Sequence, residues 1–332
     1  MVLAKYLVIR FSSIGDIVLT TPVVRILKQQ VKEAEVHFLT KTPFVTLLKA
    51  NPYIDKVHGT DGTLNDVITA LKAENFDGII DLHNNLRSLK VKTLLGKPST
   101  SFNKLNFKKW MLVNLKVNRL PAMHIVDRYL KSISHLNVHN DLKGLDYFID
   151  KNDEVDLNVF PEKFKNGYIA LVIGANHATK KMPAEKLSKI IKELDYPTMI
   201  LGGSGDSQDG EKIANENANI AINTCGKYSI NQSASLIKQA NVVISHDTGL
   251  MHIAAAFNKK IVSVWGNTVP EFGMTPCLPQ FPGNSEVLEV KNLSCRPCSK
   301  IGYKECPKKH FNCMNHLQNS EVVHAVNRFL NK

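Results

Sequence analysis

The chain has 332 residues, 43% of them apolar and 22% charged, an ordinary globular balance with apolar mass for two cores at a prior of roughly 150 residues per domain. It carries 42 Lys and Arg against 30 Asp and Glu, and the net charge of +12 favours an anionic partner: a nucleotide, a phosphorylated sugar, nucleic acid or a membrane surface. No stretch reaches the ~18 apolar residues of a spanning helix, the opening MVLAKYLVIRF is too short for a signal-peptide core, and six cysteines are too few for a disulfide scaffold, so a cytoplasmic protein is expected.

KYLVIRF (5–11) predicts a buried strand, SSIGD a tight loop, and TTPVVRILKQQV a helix with Pro22 early in it. VHFLT (36–40) predicts a second strand, PFVTLLKA (43–50) and NDVITALKAE (65–74) helices, and FDGIIDL (76–82) the next strand. Strands alternating with helices imply a parallel sheet covered on both faces. The rhythm breaks over 87–131, where eleven Lys and Arg stand against the single acid Asp127, a local net charge of +10. Within it NFKKWMLVNLKV interleaves basic and large apolar residues around Trp110. It reads either as a solvated basic helix over a core stripe or as a surface for anionic lipid headgroups or a phosphorylated acceptor. No nucleic-acid motif accompanies the charge, so nucleic acid is not expected as a partner.

Residues 137–166 lack helical periodicity and place the domain boundary near 160, giving domains 1–160 and 161–332. The alternation then restarts. Strands are predicted at YIALVIGA (168–175), PTMILGG (197–203), NVVISHD (241–247) and KIVSVWG (260–266). Helices are predicted at PAEKLSKIIKEL (183–194), GDSQDGEKIANE (205–216), SINQSASLIKQA (229–240) and GLMHIAAAF (249–257).

In open parallel sheets ligands bind beyond the carboxyl ends of the strands, so the polar residues at those ends are the candidates. Ser13, Gly15 and Asp16 follow the first strand; Asp16 is either a helix N-cap or a carboxylate able to accept a proton from an attacking hydroxyl. Asp81-Leu82-His83-Asn84-Asn85-Leu86-Arg87 follows a later strand, and Arg87 suits bidentate contact with phosphate or carboxylate. Thr179, Lys180 and Lys181 precede a helix opened by Pro183; lysines there are opposed by the helix dipole unless an anion sits between them. Gly202-Gly203-Ser204-Gly205-Asp206 resembles part of a dinucleotide loop, but Gln208 stands where the third glycine belongs, which argues against a nicotinamide site. The most specific segment is Ser245-His246-Asp247-Thr248-Gly249-Leu250-Met251-His252. The N–H groups of Thr248, Gly249 and Leu250 would cradle a diphosphate, Asp247 would cap the helix or hold sugar hydroxyls, and His252 would reach the same phosphates. No P-loop, H-E-x-x-H or G-x-S-x-G occurs.

These segments in this order, IRFSSIGDIVLTTPVVRILK, DLHNNLRS, the TKKMP loop and SHDTGLMHIAAAFNKKIVSVWG, resemble glycosyltransferase family 9, the ADP-heptose:lipopolysaccharide heptosyltransferases, as does the tail CRPCSKIGYKECPKKHFNCM. The resemblance implies an α/β, GT-B fold: two Rossmann-like domains with parallel sheets facing across a cleft, the N-terminal one for the acceptor and the C-terminal one for the nucleotide sugar. The last helix is expected to pack back on the first domain. It implies transfer of a heptose from an ADP-sugar to a lipopolysaccharide inner-core acceptor at the membrane face, with inversion and with no metal or other cofactor. The family's general base falls on Asp16, its diphosphate lysine on Lys180 or Lys181, its nucleotide-sugar loop on Asp247, Thr248, Gly249 and His252, and its acceptor-side arginine on Arg87. His83 departs from the glutamine usual in enterobacterial relatives and leaves the acceptor open. A transferase using another nucleotide sugar, a sugar-nucleotide epimerase and a non-catalytic binder of the same fold are the alternatives.

Cys295, Cys298, Cys306 and Cys313, with His310 between, have a spacing that a structural zinc can use, although the gap between the last two exceeds that of a standard knuckle. Buried free thiols or a disulfide are the other readings, and in each case the cluster is expected to tie the tail down.

Overall fold

The computed structural model describes residues 4–61 and 64–331; Met1–Leu3 of the opening segment lie outside them. The chain divides into two compact units. One comprises Met1–Lys104 and Met123–Phe148, the other Leu105–Ala122 and Ile149–Lys332.

The first unit is built on five parallel strands: β1 (Lys5–Ile9), β2 (Glu35–Lys41), β3 (Lys56–Thr60), β4 (Gly78–Asp81) and β5 (Ser99–Ser101), in the order β3-β2-β1-β4-β5. Leu7 of the central strand pairs with His37 on one side and Ile79 on the other. The apolar run of β1 is what a strand buried on both faces requires, and Leu7, Val8 and Ile9 are wholly buried. The helix Thr21–Gln30 starts on Pro22 and buries Val23, Val24, Ile26 and Leu27. The predicted helix at 43–50 is instead a short 3₁₀ segment, Thr42–Leu47. It starts on Pro43 and soon meets Pro52, which disfavours helical backbone at Asn51.

The second unit holds six parallel strands: β6 (Ile169–Val172), β7 (Thr198–Leu201), β8 (Ala221–Asn223), β9 (Val242–His246), β10 (Lys260–Trp265) and β11 (Ser285–Glu289), in the order β11-β10-β9-β6-β7-β8. The helix Ala184–Leu194 packs its apolar face, Leu187, Ile190, Ile191 and Leu194, into this unit's core. The last helix, Asn319–Leu330, was expected on the first domain. It packs into the core of the second unit through Val322, Val323, Ala325 and Val326.

The boundary also differs from the one read near 160, for two physical reasons. Arg25, buried in the Thr21–Gln30 helix, donates to Asp141 at 2.8 and 2.9 Å, to the Gly144 carbonyl at 2.9 Å, and to Asp146, which holds the chain through 148 in the first unit. Segment 105–122 belongs with the second unit because Leu112 packs on Val269 and Phe272. Replacing Arg25 by Leu would strand two partly buried carboxylates. The expected loss is about 3 kcal/mol of stability, read as a lowered urea midpoint of the first unit's transition; an unchanged midpoint would contradict this role.

At the amino ends of the first sheet, buried His37 and His58 face each other, Nδ1 to Nε2, at 3.0 Å. Glu35 takes the far His37 nitrogen at 2.7 Å, and Glu74 is held by Lys5 at 3.2 Å and by Lys56. Burial, then the charges of His37 and Lys56, lowers His58 to about 4.

Candidate functional site

In the first unit β1 delivers Arg10, Phe11 and Ser12 to the carboxyl edge, and the helix Ile14–Val18 begins after Ser13. Asp16 is not the N-cap; Ser13 holds that position, and the Asp16 carboxylate reaches back to accept from the Ser13 amide at 3.2 Å and hydroxyl at 2.9 Å. Arg10, buried, sets its guanidinium 2.7 Å from the other Asp16 oxygen. Arg10 is itself fixed by the Leu82 carbonyl at 2.6 Å, the Ser12 carbonyl at 2.8 Å and the Tyr129 hydroxyl at 3.2 Å. Burial alone would raise the Asp16 carboxyl; Arg10 and the two Ser13 donors outweigh it and hold the group below the usual carboxylate range. Gly15 is buried under the same turn.

The loop after β4 is organised by buried Asp81, whose carboxylate accepts from the His83 and Asn84 amides at 3.0 and 2.7 Å. Asn85 caps the helix Leu86–Leu95, accepting from Ser88 N–H at 2.9 Å. This presents Arg87 over the Phe11 ring, 5.4 Å from its centroid. Phe11, Ser12, Lys41, His83, Leu86 and Arg87 are among the residues lining a pocket of about 420 Å³. Lys41 and Arg87 give it two cations, suited to an anionic ligand. Burial, then Arg10, pushes His83 down to about 4, and its Nδ1 has no hydrogen-bond partner among the described residues.

In the second unit β9 runs into the helix Gly249–Ala256, with Thr248 as an extended N-cap. No side chain caps this helix and no acid occupies its first turn. An uncapped helix start of this kind, with the N–H groups of Gly249 and Leu250 in its first turn, is chemically suited to an anion. Asp247 does not cap it. Its carboxylate takes Lys180 Nζ at 2.6 Å and the Thr268 hydroxyl at 2.9 Å. Lys180 also donates to the Asp247 carbonyl at 3.2 Å, so its ammonium stands beside the start of the helix. Lys181 turns elsewhere, to Asp206. Asp206 in turn accepts from Gly203 N–H at 2.8 Å and closes the glycine-rich loop on itself. A Cβ on Gly174 would stand 2.6 Å from the Asp206 carboxylate and one on Gly202 2.8 Å from the Asp206 Cβ, so these two glycines make room for that side chain. His252 is buried, only 2% exposed.

Thr179 is also buried, and its polar atoms are engaged: its N–H and hydroxyl each donate to the Tyr303 carbonyl at 3.2 Å, and the hydroxyl accepts from Tyr303 N–H at 2.8 Å. Gly302, at φ +122°, lets the tail approach His177; a Cβ there would lie 2.5 Å from the His177 Cβ. Arg296 donates to the Thr268 carbonyl and to Glu289, both at 2.7 Å. The tail thus braces both loops beside Asp247. None of the six cysteines is in a disulfide. Burial, then Cys295, raises Cys298 to about 11; burial, then Cys298 and its neighbours, raises Cys313 to about 12.

His246 accepts the Met182 N–H at Nε2, 2.9 Å, just after the two lysines. A protonated ring would lose that bond, and burial, then Lys181, holds His246 at about 4. His58 and His246 titrate near 6.5 when unfolded, so the unfolded chain binds more protons as pH falls below that value. Their contribution is complete above pH 6.5 and is lost as pH falls toward 4, at about 3 kcal/mol for each. Urea midpoints at pH 7.5, 5.5 and 4.5 check this. A His246→Gln variant keeps an acceptor for Met182 and should flatten part of the fall; a profile level down to pH 4.5 would exclude the effect.

Arg10, Lys41 and Thr268 were not singled out from the sequence. Arg10 lies inside a strand-like run, and the partners of Lys41 and Thr268 are remote in sequence, so no local pattern marks them.

The profile of glycosyltransferase family 9 (heptosyltransferase) matches residues 65–309. Lipopolysaccharide heptosyltransferase 1 of Campylobacter coli is 26% identical over 292 residues, 80% of this chain and 84% of that protein. A glycosyltransferase family 9 structure from Veillonella parvula superposes with a TM-score of 0.79 at 22% identity, covering 98% of this chain and 97% of that one. The ADP-heptose lipopolysaccharide heptosyltransferase II of E. coli superposes with a TM-score of 0.74 at 20% identity, covering 98% of each chain. Two wholly parallel α/β units of this kind are the GT-B architecture, and the protein is a glycosyltransferase. The profile spans well over half of the chain, which belongs to glycosyltransferase family 9, the heptosyltransferases, whose work lies in lipopolysaccharide core synthesis.

Proposed function

We propose that this protein transfers a heptose from an ADP-linked donor to the inner core of lipopolysaccharide, with inversion and without a metal. The observation that carries the reading is Lys180 beside an uncapped helix N-terminus, because together they offer a leaving diphosphate the positive charge a metal would otherwise supply. The diphosphate takes the N–H groups of Gly249 and Leu250 and the Lys180 ammonium. Asp247 and Thr268 keep that ammonium in place.

An acceptor hydroxyl attacks the anomeric carbon on the face opposite the diphosphate. The new C–O bond forms as the bond to the diphosphate oxygen breaks, through an oxocarbenium-like state. The hydroxyl proton becomes acidic late in attack and passes to Asp16, which Arg10 keeps ionised. Arg87 and Lys41 hold anionic groups of the acceptor, a lipid-borne molecule at the cytoplasmic face of the membrane.

Calorimetry with ADP, UDP and GDP in EDTA tests the donor. Binding of ADP alone is expected. Preference for UDP or GDP would move the donor to another sugar, and a requirement for divalent metal would overturn the mechanism.

A further inference from the structure

Among the described residues, seven of the twelve large apolar side chains that stand exposed fall between Leu86 and Val117. Scattered exposed apolar residues are ordinary, but such a concentration is not. The same stretch is the most basic of the chain: from Leu82 to Val126 there is no Asp or Glu. Apolar exposure and positive charge therefore coincide.

They coincide most tightly in the segment Leu105–Ala122. The helix Asn106–Trp110 continues through Met111–Leu115 and stops at Lys116, at φ +58°. One side is stapled to the second unit. Leu112 packs on Val269 and Phe272, Lys109 Nζ lies 5.8 Å over the Phe272 ring, and Lys116 Nζ donates to the carbonyls of Pro297 at 2.8 Å and Cys295 at 3.2 Å. The other side carries exposed apolar side chains. Phe107 is 71% exposed, Trp110 48% and Leu115 55%, and the two aromatic rings stack with centroids 6.2 Å apart and planes at 13°. Lys108 and Arg119 are exposed in the same segment. A stapled helix that keeps an aromatic pair in water, in a stretch of chain that carries cations and no acid, is built to lie in a boundary between an apolar phase and an anionic one. It is too short to cross a membrane, and no helix among the described residues is long and apolar enough to do so.

We propose that segment 105–122 is a docking face for an anionic phospholipid bilayer, with Phe107 and Trp110 entering the headgroup boundary and the neighbouring cations, Lys108 among them, meeting lipid phosphates. Trp110 is the anchor, since an indole suits a site with one apolar and one wet side. The bound protein then works beside its lipid-borne acceptor. That purpose rests on the proposed function; the binding itself rests on this segment alone.

The protein carries its own probe. It has two tryptophans, and Trp265 is 1% exposed, so a change in emission on adding lipid reports Trp110. The full chain is mixed at low salt with vesicles of phosphatidylglycerol and phosphatidylcholine, and separately with phosphatidylcholine alone. A blue shift and co-sedimentation are expected with the anionic vesicles and not with the neutral ones, both reversed by salt. The double variant Phe107→Ser, Trp110→Ser should lose at least tenfold in vesicle partitioning. Its ADP affinity and melting temperature, measured in parallel, should match those of the parent and show that the second unit is intact. Retained co-sedimentation of the double variant, an emission unmoved by anionic vesicles, or an equal response to neutral ones would overturn the proposal. So would a lipid-free dimer that dissociates in the double variant, since a second copy would then be the occupant. Failure of ADP to bind the parent would count against the donor reading and leave the docking result standing.

Discussion

Asp16→Asn is expected to cut turnover by about 10²- to 10⁴-fold, the usual worth of a positioned general base, with ADP affinity changed less than twofold. Asparagine keeps an oxygen for the Ser13 amide and hydroxyl, so the turn after β1 survives, but it cannot take the acceptor's proton. Asp16→Ala also removes that return contact and leaves the buried Arg10 guanidinium without its carboxylate, and should cost about 3 kcal/mol of stability besides. Steady-state kinetics beside ADP calorimetry separate the two effects. If Asp16→Asn turns over like the parent, the carboxylate only positions the loop and the base is another group. A base held below the usual carboxylate range also suits an attack in which the proton moves late. Arg10 keeps the group charged, and the hydroxyl grows acidic only as its oxygen bonds to carbon.

Lys180→Ala is expected to lower turnover by about 10²- to 10³-fold, the cost of removing one charge-stabilising donor from a leaving group, and to weaken ADP binding at least tenfold. Lys181→Ala should leave both within a few fold. The two lysines are adjacent, yet Lys180 reaches Asp247 at 2.6 Å beside the helix Gly249–Ala256, whereas Lys181 is spent on Asp206 in the glycine-rich loop. Neighbours in sequence thus serve different loops. The reverse ranking of the variants would assign the diphosphate to Lys181 and require its pair with Asp206 to open when donor binds.

The parts of the fold that were legible, and those that were not, divide along one line. Every interior strand of both sheets, β1, β2 and β4 in the first and β6, β7, β9 and β10 in the second, showed in the sequence as an apolar run. All four edge strands, β3, β5, β8 and β11, went unseen. An interior strand of a parallel sheet is covered on both faces and flanks, so its composition is forced. An edge strand such as Ser99–Ser101 is half in water, and nothing in Ser-Thr-Ser demands burial. The candidate site follows the same logic. Strand-end loops stood out because polar clusters follow apolar runs. The partners that aim them did not: Arg10 reads as part of a strand, and Tyr303 lies 124 residues from the Thr179 it clasps. The single boundary near 160 failed for the same reason, since Arg25 and Leu112 hold their segments through contacts that leave no local trace.

The clasp between Thr179 and Tyr303 bears on any attempt to shorten or recombine this protein. A chain cut before 295 would keep every strand of both sheets but would lose the helix Asn319–Leu330 from the core of the second unit, together with the wall its lysine loop leans on. On the proposed function, substitutions at Tyr303 and Arg296, outside either sheet, are expected to change donor affinity through the loops they brace.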